Sequence, residues 1–264
     1  MEAAPTPPTA LAFSGQDILL PGAGAPGLLE GGPAAALSRD FAWEGRSYRA
    51  FLFGEAEAAA LEAGGASRLP VRQALAELGQ EEARPLLRGL ALLRWLETAR
   101  HCGACGGLLE DCPPEGEEPG GRRCPACGRV FFPRISPAVI LLITKGGKIL
   151  LAHNARFPAG RFGLIAGFVE AGETLEETAI REAREEAGIE IGGLRYLRSQ
   201  PWPFPDSLMF AFRAEWRSGE ARPDGREIAE LRWCGPDELP TIPPSGSIAR
   251  ALIDEFEAEA RGRA

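Results

Sequence analysis

Apolar residues recur at Leu175, Ala179, Ile180, Ala183 and Ala187, and no proline or glycine interrupts the stretch from Thr174 to Ala187. That spacing predicts an amphipathic helix. Just before it, Leu164-Ile165-Ala166 is a short apolar run closed by Gly163 and Gly167 and continued by Phe168-Val169, the pattern of a strand. Glu170-Ala171-Gly172 then makes a turn into the helix. Apolar runs over 138–144 and 148–152 flank Lys145-Gly146-Gly147 and predict two strands joined by a tight turn. Further strands are expected near 194–199, 208–216 and 228–234, and an amphipathic helix over 247–261. Upstream, 85–100 reads as a helix with Leu86, Leu87, Leu90, Leu93 and Leu96 as its buried stripe, although Gly89 weakens that reading. The first 80 residues alternate Pro/Gly stretches with short apolar runs such as Phe51-Leu52-Phe53, and predict a small α+β domain without fixing its topology. No internal repeat is visible.

The polar face of the 174–187 helix carries candidate chemistry. Glu182, Glu185 and Glu186 fall at i, i+3 and i+4, so their carboxylates crowd together. Each like-charge pair costs about 0.2–0.5 kcal/mol on an open helix. A nearby cation removes that cost, and an all-oxygen donor set suits a hard ion such as Mg²⁺ or Mn²⁺. Taken alone, the triplet equally fits a solvated glutamate-rich helix. The framing by Gly167, where backbone and ligand can approach closely, favours the metal site. Arg181 has the fork geometry to hold the carboxylates in place, or to form an ordinary surface ion pair.

Four of the six cysteines form two knuckles, Cys102-x2-Cys105 and Cys124-x2-Cys127, each followed by glycine and separated by a Pro/Gly/Glu-rich spacer. The pattern resembles a zinc ribbon, with Zn²⁺ held structurally by four thiolates. Disulfides are the rival, but nothing points to export; a redox pair lacks its βαβ context. Cys112, Cys234 and His101 lie outside the pattern.

At 264 residues the chain has ample length for a large core, and its net charge of −8 argues against a broad surface for duplex nucleic acid. Bound metal reverses the local field, so a small anionic ligand stays open. The stretch from Met1 to Pro21 lacks the pattern of a signal peptide, no segment has transmembrane length, and the final Arg261-Gly262-Arg263-Ala264 is no peroxisomal address. A cytoplasmic protein without a membrane partner is expected.

From Gly167 to Ile189, with Glu173, Arg181-Glu182-Ala183, Glu185-Glu186 and Gly188 between, the chain resembles the Nudix box at each fixed position. The resemblance implies hydrolysis of a nucleoside diphosphate linked to another group, on an α/β/α sandwich. With the zinc ribbon and N-terminal region before it, the expected order is an N-terminal domain over 1–98, a zinc ribbon over 99–132 and a Nudix domain over 133–264.

Downstream lies Ser199-Gln200-Pro201-Trp202-Pro203-Phe204-Pro205-Asp206-Ser207. Alternating prolines stiffen it, Trp202 and Phe204 offer walls for a flat ring, and Gln200 and Ser207 have hydrogen-bonding groups. By composition alone it is better read as a proline-rich loop whose aromatics cap the core. The segment nevertheless resembles the SQPWPFPxS signature of the NADH pyrophosphatase family, within a likeness running from about Pro85 to the C-terminus. That likeness includes Phe131-Phe132-Pro133 and Ser247-Ile248-Ala249-Arg250. It implies a homodimer that uses Mg²⁺ or Mn²⁺ to split NADH or NAD into nicotinamide mononucleotide and AMP, and that in some members removes NAD caps from RNA. Carried over by motif, the metal ligands are Glu182, Glu186, the Ala166 carbonyl and Glu227, with Glu185 as base or water-mediated ligand. The dinucleotide site takes Gln200, Pro201, Trp202, Pro203, Phe204, Pro205, Asp206, Ser207, Phe132 and the Ala249 backbone, with Arg72 as an addition through Val71-Arg72-Gln73. Phe132 stands where the family often has tyrosine, so a hydroxyl contact is lost. Two other readings remain: a Nudix hydrolase for another substrate such as ADP-ribose, and a non-catalytic RNA-binding module. The intact glutamates count against the second.

Overall fold

The computed structural model describes residues 7–21, 34–78, 80–113 and 120–262. Residues 1–6, 22–33, 79, 114–119 in the cysteine spacer and 263–264 lie outside them. By contacts the chain divides into two compact units. One comprises 1–74, 80–134 and 203–206; the other comprises 75–79, 135–202 and 207–264.

In the first unit, β1 (Thr9–Ser14), β2 (Asp17–Leu20), β3 (Leu37–Trp43), β4 (Arg46–Leu52) and β5 (Ser67–Pro70) form a sheet in the order β3-β4-β1-β2-β5. Only β1 and β4 run parallel. Helix α1 (Glu55–Ala63) precedes β5, α2 (Val71–Glu77) follows it and belongs to this unit only through Ala74, and α3 (Gln80–Thr98) packs on β3 and β4. The expected leucine stripe is buried, Leu90 and Leu93 completely. Gly89 has a packing reason: a Cβ there would lie 3.2 Å from the Ala50 Cβ and 3.4 Å from the Phe13 ring. The helix approaches the sheet too closely for a side chain at that position. It also begins five residues before Pro85, where the sequence suggested a start. Proline lacks one hydrogen bond, and burial of Ala83, Leu86 and Leu87 outweighs that loss.

The cysteine knuckles frame a small sheet of β6 (Glu110–Asp111), β7 (Arg122–Arg123) and β8 (Val130–Phe131). Ties within the unit join it to what precedes it. Arg122 Nη1 donates to the Ala99 carbonyl at 2.6 Å, and Arg39 pairs with Asp111 at 3.3 Å. The regions over 1–98 and 99–132, separated on sequence pattern, therefore cluster together.

The second unit is built on β9 (Ser136–Lys145), β10 (Lys148–Asn154), β11 (Ile165–Phe168), β12 (Glu190–Trp202), β13 (Ser207–Ser218) and β14 (Ile228–Cys234). The order is β12-β13-β9-β10-β14, with β11 also paired to β9; β13 runs parallel to β9 and the other pairs are antiparallel. Helix α4 (Leu175–Ala187) covers one face and α5 (Ile248–Ala260) the other. Strand β9 explains the sandwich residue by residue. Val139, Leu141 and Ile143 pack with Ala179 and Ala183 of α4, while Ile140 and Leu142 pack with Leu252 and Ile253 of α5. A central strand covered on both faces reads as an unbroken apolar run, and this one does. The α/β/α sandwich expected from the sequence is present.

The proline-rich segment forms the end of a hairpin. Strand β12 runs on through Pro201 and Trp202, and Trp202 pairs with Ser207 at the start of β13. Proline is tolerated there because β12 is an edge strand.

Candidate active site

Helix α4 is fixed at both ends by its own sequence. Thr174 and Glu177 form a reciprocal capping box. Gly188 takes φ 66° at the C-cap, which glycine adopts without the cost a Cβ brings. Ala179, Ala183 and Ala187 are fully buried against the sheet, and Glu182 and Glu186, buried on the flank beside them, border a cleft together with Arg181 and Glu185. The cleft has a volume of about 900 Å³ and is further lined by Ala166, Gly167 and Phe168 of β11, Glu170, and Asp224, Arg226 and Glu227 ahead of β14.

Arg181 organises the approach to it. Its Nε and Nη2 donate to the two oxygens of Glu173 at 2.6 and 3.0 Å, and Nη2 also donates to the Phe168 carbonyl at 2.9 Å. Its Nη1 donates to Glu182 at 2.8 Å and Glu185 at 2.9 Å. Glu173 also accepts from the Glu170 amide at 3.0 Å and the Thr178 hydroxyl at 2.8 Å. The Arg181 guanidinium and these further donors pull its carboxyl down to about 2. Glu173 and Arg181 thus clamp the β11–α4 loop to the helix, and Arg181 has no spare donor geometry for a ligand.

Gly167 is required by contact. A Cβ there would lie 1.9 Å from the Glu182 carboxylate, so that carboxylate packs directly on the β11 backbone at Gly167. Glu182 and Glu186 are both buried. Burial raises the Glu182 pKa. Burial, then the charges of Glu182, Glu227 and Asp224, push Glu186 up to about 8. Its Oε2 is buried without a hydrogen-bond partner. A buried, unsatisfied carboxylate oxygen among other carboxylates is costly unless a cation faces it. The donor set fits Mg²⁺ or Mn²⁺: hard oxygens, open to solvent, with room for water ligands.

The structure thus brings Ala166, Glu182, Glu185, Glu186 and Glu227 to one cleft. It also adds Phe168 (55% exposed), Glu170, Asp224 and Arg226, which sequence reasoning left out. A Pro223-Asp224-Gly225 turn signal preceding Glu227 was the available hint for Asp224.

Of the expected dinucleotide residues, Gln200, Pro201, Trp202, Ser207 and Ala249 belong to the second unit, and none of these five lines its acidic cleft. In the second unit, Gln200 is buried and its amide is consumed internally. Nε2 donates to the Gly246 carbonyl at 2.8 Å, and Oε1 accepts from the Ile248 amide at 2.7 Å. The side chain fastens β12 to the start of α5, next to Ala249. Ser207 is buried as well, Trp202 is half-buried and Pro201 is exposed. In the first unit, the Arg72 guanidinium lies 4.5 Å over the Phe204 ring. Phe132 borders a separate cleft of about 630 Å³ with Trp95, His101, Pro205 and Asp206, and Pro203 is buried.

The four cysteines converge. Cys102 and Cys127 Sγ are 3.6 Å apart, Cys105 and Cys124 Sγ 3.5 Å, and all four sulfurs lie within 4.8 Å of one another without a disulfide. Sulfurs at about 2.3 Å from a tetrahedral Zn²⁺ are about 3.8 Å apart, so the cluster matches that geometry. The Ala104 amide, donating at 3.4 Å, leads the effects that draw the Cys102 thiol down to about 6.

Residues 133–256 match the family described as NUDIX domain. Together with the sandwich and its acidic cleft, the match defines a Nudix-domain protein. The NAD-capped RNA hydrolase NudC of Pseudomonas aeruginosa is 45% identical over 170 residues, which make up 64% of this chain and 60% of that protein. The protein of the same name from Chromobacterium violaceum is 43% identical over 185 residues, 70% of this chain and 68% of that one. Among solved structures, a NUDIX hydrolase from Nitrosomonas europaea is similar at a TM-score of 0.50 and 29% identity, covering 62% of this chain and 92% of the other. The chain belongs to the family of these NudC proteins within the Nudix hydrolases. Its match spans less than two thirds of the Pseudomonas relative's length, at 60%.

Proposed function

We propose that this protein hydrolyses the diphosphate of an NAD-type dinucleotide, free NADH or NAD or the NAD cap of an RNA, to nicotinamide mononucleotide and an AMP moiety. The observation that carries the reading is the buried Glu186 with its unpartnered oxygen, in a cleft shared with Glu182, Glu185 and Glu227. The names of the relatives supply the substrate class.

Mg²⁺ or Mn²⁺, held by Glu182, Glu186, Glu227 and the Ala166 carbonyl, would supply charge neutralisation for the diphosphate oxygens. Arg181 orients Glu182 and Glu185. Glu185, exposed at the cleft, is suited to accept the proton of the attacking water, and Glu186 is the other candidate base. As water adds to one phosphorus, the bridging P–O bond breaks and the other phosphate departs with its nucleoside. Phe168, half-exposed in the cleft, offers a face for a flat ring. Structural Zn²⁺ in the four-cysteine cluster, a homodimer and a cytoplasmic setting complete the reading. The free thiols suit a reducing compartment.

The test is incubation of the purified chain with NADH, NAD-capped RNA and, separately, ADP-ribose, each with Mg²⁺ or Mn²⁺, with products identified by mass. Nicotinamide mononucleotide plus AMP or 5′-phosphorylated RNA is expected. Cleavage of ADP-ribose alone would overturn the substrate class, and inactivity on all three would overturn the enzymatic reading.

A further inference from the structure

Glu227 is the one glutamate of the proposed metal set that no helix holds. It precedes β14, an edge strand paired only with β10. That pairing slips at Glu227's own end: His153 faces Glu230, and the next residue, Asn154, faces Ile228. The skipped residue is Ala229, and the paired register ends at Ile228, so the amides of Arg226 and Glu227 lie outside the ladder. Asp224 supplies their acceptors. Its Oδ1 accepts from Ile228 N–H at 2.8 Å and from the N–H groups of Arg226 and Glu227 at 3.2 Å, and its Oδ2 accepts from Glu227 N–H at 3.2 Å. Gly225, at φ 71°, closes the turn by donating to the Ile228 carbonyl at 3.1 Å. From outside the turn, Ala155 N–H donates to the Glu227 carbonyl at 2.9 Å. An Asp side chain that gathers three successive amides mimics a backbone turn and fixes the direction in which the following side chains leave it. Those side chains, Arg226 and Glu227, both line the cleft.

We infer that Asp224 is a positioning residue whose carboxylate folds the turn that aims Glu227 into the cleft, and that it acts through its oxygen acceptors rather than its charge. The inference rests on Glu227 holding a divalent cation, as proposed above. Among six carboxylates lining one cleft, Asp224 is set apart by this commitment to amides: a group that spends both oxygens on the backbone is poorly placed to ligate an ion as well.

Mn²⁺ binding to the full chain, followed by electron paramagnetic resonance without substrate, tests this. Asp224→Ala should weaken Mn²⁺ binding about tenfold or more, as removal of a ligand's supporting partner does. Asp224→Asn keeps a carbonyl acceptor for the same turn and should stay within about twofold of the parent. Adding Asp224→Ala to Glu227→Gln should cost nothing beyond Glu227→Gln alone, because both act through one side chain. An asparagine variant as impaired as alanine, an alanine variant with unchanged affinity, or additive losses would each overturn the assignment. If the alanine variant does not fold, the asparagine variant decides: parental affinity supports the inference, and a tenfold loss overturns it. A parent chain that binds no Mn²⁺ would instead overturn the metal reading beneath it.

Discussion

At the scale of single residues, the cleft is held together by opposed demands. Glu173 and Arg181 are satisfied outright, five acceptor oxygens surrounding one guanidinium. Glu186 is left unsatisfied. Its neutral form is favoured in the folded chain, because its pKa rises from an ordinary 4.5 to about 8. The folded state then binds that proton more tightly than the unfolded one. Its contribution to stability is complete below about pH 4.5 and is lost as pH rises through about 8. Without added divalent cations the melting temperature should fall across that window. Mn²⁺, which favours the carboxylate, should flatten the fall, and Glu186→Gln should reduce it, leaving the smaller part due to Glu182, and should abolish turnover while leaving the fold intact. Thermal unfolding at pH 5 and 8.5, with and without Mn²⁺, checks this; the same slope in parent and variant would refute it. Glu182, Glu185 and Glu186 were legible in the sequence because helical spacing puts them on one face. Asp224 was not, because its role depends on which amides come within its reach.

At the scale of elements, α4 was the most legible part of the chain. Its apolar period, capping box and C-terminal glycine all specify the same helix. Thr174→Ala removes the side-chain cap and should cost about 1 kcal/mol in chemical denaturation, with the cleft chemistry largely retained. A loss indistinguishable from zero would show that tertiary packing alone fixes the first turn. Helix α3 was less legible: Pro85 suggested a start that packing overrides, and Gly89 looked like a flaw until Ala50 and Phe13 were seen against it. The proline-rich segment was legible as stiff, but not as the end of a hairpin. Nor did its sequence show that the Gln200 amide serves the chain itself, since the partners, at Gly246 and Ile248, lie more than forty residues away.

At the scale of the whole molecule, two compact units divide the work between them. The second contains the sandwich and the acidic cleft. The first gathers the N-terminal sheet and the cysteine cluster, whose four sulfurs close on one point. Cys102→Ser should remove bound zinc and lower the melting temperature, since a structural site contributes folding energy; unchanged zinc content and melting would contradict the assignment. Among the described residues, no helix is long and apolar enough to cross a membrane. By itself, the sequence determined the chemistry available and the local elements: the glutamate triplet on one helical face, the glycine beside it, the paired cysteines and the two-sided apolar run of β9. These follow from spacing along one element, which short-range geometry fixes. Tertiary structure alone decided which of those groups meet. It pressed the Glu182 carboxylate onto Gly167, stripped Glu186 of water, brought Glu227 in from another loop and turned Gln200 inward. Burial and encounter depend on residues far apart in the chain, and these set the cost of each charge.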